Sequence, residues 1–142
     1  MRTNTIARDR WMAYGIFRLA LGINILIHGA GRIFGAGPGA FASKTAATFA
    51  STVLPMWAVY GFLLVLPFLE AALGLLLTLG LFTRWTLVAG GSLMIVLIFG
   101  TAMRSDWTTV GVQMVYSIAY FLLLFFHRYN VLALDSFAKL RV

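Results

Sequence analysis

Apolar positions fill this chain in four long runs, at about 11–33, 57–82, 85–103 and 109–126. Each is near the ~20 residues that an α-helix needs to cross a bilayer. Trp11, Trp57, Trp85 and Trp107 stand at the starts of the runs, where interfacial anchors tend to sit. The pattern predicts an all-α fold: one integral membrane domain, residues 1–142, built as a four-helix bundle. The first run is read as a span and not as a cleaved leader, because its apolar part is too long and carries charge. The connection over 34–56 is long and opens on a Gly/Pro cluster that stops a helix. In it, Phe41, Phe49 and Val53 fall on one face of a helix over about 41–54, read as an amphipathic segment on the outer surface or as a lid over the bundle. The tail repeats the pattern, with Val131, Leu134, Phe137 and Leu140 among Asp135, Lys139 and Arg141, and is expected on the cytoplasmic surface.

The polar residues inside the runs are few and placed by helical period. In the first run Arg18, Asn24, His28 and Arg32 fall at about 0°, −120°, −80° and −40°. That is one third of the helix surface, and Gly15, Gly22 and Gly29 lie beside it as a groove for close packing. The second run holds Glu70, the one acid within a span, with Pro67 one turn earlier and Gly74 and Thr78 in the same sector. The fourth run spaces Gln113, Tyr116, Ser117 and Tyr120 at i, i+3, i+4, i+7. This is an amphipathic stripe turned inward. The third run, with Gly90, Gly91, Ser92, Gly100, Met94 and Met103, reads as structural.

Counting ~1.5 Å per residue from the run ends sorts these groups by depth. Arg18, Glu70, Tyr120 and Tyr116 share a middle-to-inner level; His28, Arg32 and Gln113 share an outer one. Intramembrane ionisable groups are costly and mark functional sites by default. Glu70 and His28 are the candidate proton carriers. Arg18, Arg32, Gln113, Tyr116 and Tyr120 are the candidate binding groups. The plainer alternatives are an Arg18–Glu70 pair that only locks two helices, an Arg18 that snorkels, lipid contact for Arg32, and satisfied packing for the tyrosines.

Composition narrows the class. Of 142 residues, 61% are hydrophobic and 11% charged, with a mean hydropathy of +0.93; these charges are too few to cover a water-facing surface. The net charge of +7 does not point to nucleic acid, because the basic residues sit in the gaps between apolar runs. They set orientation instead. Arg2, Arg8, Arg10, Arg84, Arg128, Lys139 and Arg141 fall on one side and Arg32, Lys44 and Arg104 on the other. Seven against three favours both termini in the cytoplasm; the expected location is a bacterial inner membrane. With no cysteine, the chain has no disulfide, thiolate metal site, Fe–S ligation or dithiol relay; no metal site is expected.

The pattern Arg18-Leu19…Gly22…His28-Gly29…Arg32, followed by Glu70…Gly74-Leu75-Leu76-Leu77…Gly80-Leu81-Phe82-Thr83-Arg84, resembles the DoxX-like family of small four-helix membrane proteins. Arg32 takes a place where that family usually has lysine. The family includes the membrane subunit of a thiosulfate:quinone oxidoreductase. The resemblance thus implies a redox-linked membrane subunit that interacts with quinone and a small sulfur donor. No covalent cofactor is expected; quinone is the implied small molecule. The partners expected are membrane lipids and other membrane subunits or further copies of the chain. Two other classes stay open: a non-catalytic accessory subunit of a larger complex, and a small-molecule transporter, the latter disfavoured by the lack of an inverted repeat.

Overall fold

The computed structural model describes residues 2–139, and the side chains of 5–136. The described residues form helices α1 (Arg2–Phe34), α2 (Pro38–Ala47), α3 (Met56–Leu79), α4 (Thr83–Met103), α5 (Trp107–Phe125), a 3-10 turn (His127–Tyr129) and α6 (Leu134–Lys139). Helices α1, α3, α4 and α5 are long and apolar enough to cross a membrane. They alternate in direction, so the N-terminus and the tail share one end and α2 caps the other. These are called here the terminal end and the α2 end.

Two boundaries differ from the apolar runs, each for a local reason. Helix α1 begins at Arg2, because the polar stretch before Trp11 contains no breaker and continues the helix. Helix α3 stops at Leu79. Gly80 takes a left-handed conformation (φ 69°, ψ 41°), which a side chain would disfavour. The amide of Leu81 then donates to Leu76 O (2.9 Å) and that of Gly80 to Leu77 O (3.2 Å), the two bonds of a Schellman ending.

The segment expected as a helix over 41–54 is shorter and shifted. Gly37 (φ 87°) breaks from α1 and Pro38 occupies the first turn of α2, where its fixed φ fits and its missing N–H is not needed. The helix ends at Ala47. Beyond it the hydroxyls of Thr48 and Thr52 donate to Thr45 O (2.6 Å) and Phe49 O (2.8 Å), local bonds that turn the chain out of the helix. Phe49 is therefore buried and Val53 is 86% exposed; the shared apolar face expected for them does not form.

Helices α1 and α3 make the tightest seam. Gly22 lies against Thr78, Leu26 against Gly74 and Gly29 against Ala71, so facing residue numbers sum to 100. At Gly29 and Gly74 the neighbouring backbone is so near that an added Cβ would overlap it; small residues let membrane helices approach this closely. Helices α4 and α5 form a second antiparallel pair, whereas α3 meets α4 more loosely and α1 barely touches α5. Tyr14, Leu21, Leu77, Leu87, Tyr120 and Leu123 fill the middle of the bundle. A second cluster, with Ala42, Phe49, Leu63 and Leu93, lies under α2.

The tail docks onto the terminal end. Leu132 packs on Gly15, and Ala133 packs on Gly80. The Asp135 carboxylate accepts from the amides of Phe82 and Thr83 (2.8 Å each) and from the Thr83 hydroxyl (2.9 Å). It thus caps the N-terminus of α4, whose free N–H groups and dipole favour an anion. Burial acts to raise this carboxyl's pKa, but the three hydrogen bonds together hold it below the ordinary aspartate value, with His127 adding to them. The expected apolar tail stripe falls partly outside the described residues: the side chains of Phe137 and Lys139, and Leu140 and Arg141 altogether.

Candidate functional site

Arg18 and Glu70, expected at one depth, lie apart. Glu70 stands opposite Ala30 in the α1–α3 register, twelve residues or about 18 Å along the helix from Arg18, beyond the reach of an arginine side chain. Depths counted from the run ends hid this, because α3 ends three residues early and α1 begins nine residues early.

Arg18 is 2% exposed and works as a cap. One guanidinium nitrogen donates to Leu77 O and to Thr78 O (2.9 Å), the other to Leu132 O (2.7 Å). These carbonyls include the orphan acceptors at the end of α3, where the helix dipole favours a cation. Arg18 therefore ties three segments together without a carboxylate.

Glu70, 4% exposed, pairs with Arg32 through Oε2 and Nη1. The Arg32 guanidinium also lies 4.5 Å over the ring of Phe41 in α2. Arg32 is thus held between an acid on one helix and an aromatic face on another. His28 and Tyr120 are near enough to interact electrostatically with Glu70. Tyr120 itself is buried, its ring pressed on Gly90.

The polar face of α1 splits into two edges. Arg18 and Arg32 turn to α3. Asn24 and His28 are exposed at the α1–α5 seam. There the Tyr116 hydroxyl donates to Asn24 Oδ1 (2.9 Å), and the edge of one ring meets the other where His28 faces Tyr116 (6.4 Å, 80°).

At the α2 end, Gln113 and Arg32 line a half-open cavity of about 400 Å³ between α2, α3, α4 and α5. Its walls are mostly apolar, with Phe41, Phe49, Phe62 and Phe99 among them. Thr45, Thr101, Thr109 and Arg104 complete the polar part. The Arg104 guanidinium stacks 4.7 Å from the Phe49 ring, donates to Thr48 Oγ1 and reaches Asp106 (3.3 Å). Asp106 caps α5. The Thr109 hydroxyl and amide hold its carboxyl below the ordinary value, against desolvation and with help from Arg104.

Hydrogen-bond direction fixes the Gln113 amide. The Thr101 hydroxyl spends its proton on Leu97 O (2.8 Å), so it accepts from Gln113 Nε2 (3.0 Å). Gln113 Oε1 then remains buried with no protein donor. A buried acceptor of this kind is unfavourable unless something supplies a proton to it. The sequence stripe pointed to Gln113 but not to Arg104, Thr101 or the four rings. Phe41, Phe49 and Arg104 join it only through α2 and the turn that follows it. Glu70 and His28 do not line the cavity; Arg32 stands between Glu70 and it, and His28 faces the α1–α5 seam.

These features define a multi-pass helical membrane protein with a partly polar cavity near one end. The chain belongs to the DoxX family, whose model matches residues 13–103, from α1 through α4. No curated protein and no solved structure matches it. Helix α5, which carries Gln113, Tyr116 and Tyr120, lies beyond the family match.

Proposed function

We propose that this chain is a redox-linked membrane subunit that binds a quinone or quinol head group in the cavity at the α2 end. The observation that carries the reading is the pairing of aromatic walls with Gln113 Oε1, an acceptor in need of a donor. A flat ring suits a slot between phenylalanines. The hydroxyl of a reduced ring would donate to Gln113, while Arg32 and Arg104 offer N–H groups to ring oxygens. Small-molecule sites have this composition: apolar walls with a few fixed polar groups.

Reduction of a quinone takes up two electrons and two protons. Arg32 links the cavity to Glu70, and His28 lies beyond it, so this chain's own part is to bind, orient and supply charge balance next to a carboxyl. The chain has no cysteine, and the electrons come from a small sulfur donor or a partner subunit. The excess of basic residues at the terminal end supports an orientation with both termini in the cytoplasm and the cavity at the outer face of the membrane, which we take to be a bacterial inner membrane.

Titration of the purified protein in lipid nanodiscs with a short-chain quinone and its quinol tests the reading. Binding of the quinol should weaken at least tenfold in Gln113→Leu and in Ala58→Phe, which fills the cavity. If the parent binds neither form, or both variants bind as the parent does, the reading fails. Turnover with sulfur donors, compared with Glu70→Gln and His28→Ala, then tests the proton path.

One observation favours a second reading, that of an accessory subunit. Asn24 and His28 are exposed within a span, and polar intramembrane groups usually face protein or a cavity. A neighbouring subunit along the α1–α5 seam would cover them. Co-purification of a larger membrane complex that depends on Asn24 and His28 would support it.

A further inference from the structure

The seam between α1 and α5 opens at the terminal end into a cleft of about 560 Å³. Arg10, Arg128 and Tyr129 form its rim, and Ala13, Phe17 and Phe126 lie among its apolar walls. Trp11, one residue from Arg10, marks this depth as the membrane interface. We propose that this cleft binds one anionic glycerophospholipid, its phosphate between Arg10 and Arg128 and an acyl chain along the groove. The proposal is independent of the quinone reading, which concerns the opposite end of the molecule.

Charge carries the argument. Both guanidiniums lean on the same ring: Arg10 lies 5.8 Å and Arg128 4.8 Å from the Tyr129 centroid. Among the described residues neither has a carboxylate within ion-pair distance. Asp9 does not line the cleft, since it sits about 100° round the helix from Arg10. Two like charges held at one aromatic ring repel until an anion stands between them.

Hydrogen bonding points the same way. Tyr129 Oη accepts from Arg10 (3.2 Å), which leaves the phenol proton free for a phosphate oxygen. Guanidinium groups are suited to phosphate because they donate two parallel bonds.

The occupant is a lipid because the rim opens into hydrocarbon depth. Phe17 lies seven residues, about 10 Å, deeper than Arg10 on α1. Basic pockets between membrane helices are where anionic head groups bind. A soluble anion would satisfy the rim but not the groove.

The experiment is native mass spectrometry of the protein after exchange into micelles with equal phosphatidylglycerol and phosphatidylcholine. One phosphatidylglycerol should stay bound at least tenfold more often than phosphatidylcholine. Arg10→Gln with Arg128→Gln should bring the ratio near one. Ala13→Trp, which obstructs the groove and leaves both charges, should also displace the lipid. Glycerol 3-phosphate at the same concentration should not be retained. Equal retention of both lipids by the parent, an unchanged ratio in the double variant, or retention of glycerol 3-phosphate matching that of the lipid would overturn the proposal. If the double variant does not fold, lipid retention that Ala13→Trp leaves unchanged overturns it alone.

Discussion

The two faces of α3 are built to opposite tolerances. Toward α1 it is in backbone contact: Gly29 and Gly74 leave no room for a methyl group, and Arg18 closes the end of the helix with three carbonyl contacts. Toward α4 it stands off, and the cavity at the α2 end occupies the slack. The tight seam has no freedom to accept a ligand. The loose one contributes less packing and keeps an unpaired amide oxygen. On the proposed reading, stability and binding fall to different sides of one helix, as expected where a site must be kept open inside an otherwise close-packed interior.

The comparison breaks first at Arg18 if it is wrong. Arg18→Leu removes the charge and leaves Leu77, Thr78 and Leu132 carbonyls without that donor. Hydrogen bonds to charged groups are worth roughly 1.5–3 kcal/mol each, so the loss should be about 3–5 kcal/mol. Reversible unfolding in mixed micelles measures it. A loss under 1 kcal/mol would mean that Arg18 snorkels to lipid and the tail is held otherwise.

Next comes Gly74→Val, which drives a side chain into the backbone of Leu26. Overpacking should cost about 1–3 kcal/mol. Gly61→Val is the control, because on the same helix its Cβ would enter open space; it should leave stability within about 0.5 kcal/mol. On the loose side, Ala58→Phe should change stability by less than about 1 kcal/mol while it weakens ligand binding. Equal losses at Gly74 and Ala58 would erase the distinction between the seams.

Much of this was legible in the residues. The four spans and the close-packing glycines follow from composition and period, which act locally; of the polar stripe on α1 only Arg18 and Arg32 turn to α3, while Asn24 and His28 are exposed. Pairing did not follow. Glu70 meets Arg32 and not Arg18 because the register of α1 on α3 is set by where Gly22, Gly29 and Gly74 fit, and counting from apolar run ends is too coarse to find it. Phe49 and Val53 separate because two threonine hydroxyls turn the chain after Ala47. Arg104 joins the cavity only because the turn after α2 folds over it. Asp135 reads as surface charge in an amphipathic tail; its place at the start of α4 depends on a tertiary contact with a helix fifty residues earlier.

That contact supplies the smallest predicted effect and a test of whether the tail belongs to the tight side. The Asp135 carboxylate holds the amides of Phe82 and Thr83, and Asp135 N donates back to Gly80 O (3.1 Å). Its folded pKa lies below the ordinary value of 3.8. A depressed acid stabilises the fold above its unfolded pKa, and the contribution is lost as pH falls through the folded value. Tail docking should therefore be constant from neutral pH down to about 4 and weaken below it. Hydrogen exchange at the amides of Asp135 and Ser136 reports it directly, because both are bonded in the docked tail. Asp135→Asn should exchange faster at neutral pH and lose the acid step, since an amide cannot titrate there. Arg18 stays charged throughout this range, so its hold on Leu132 O should survive. If residues 130–134 loosen together with Asp135 below pH 4, the carboxylate and not Arg18 anchors the tail, and the tight side of the molecule ends at α3.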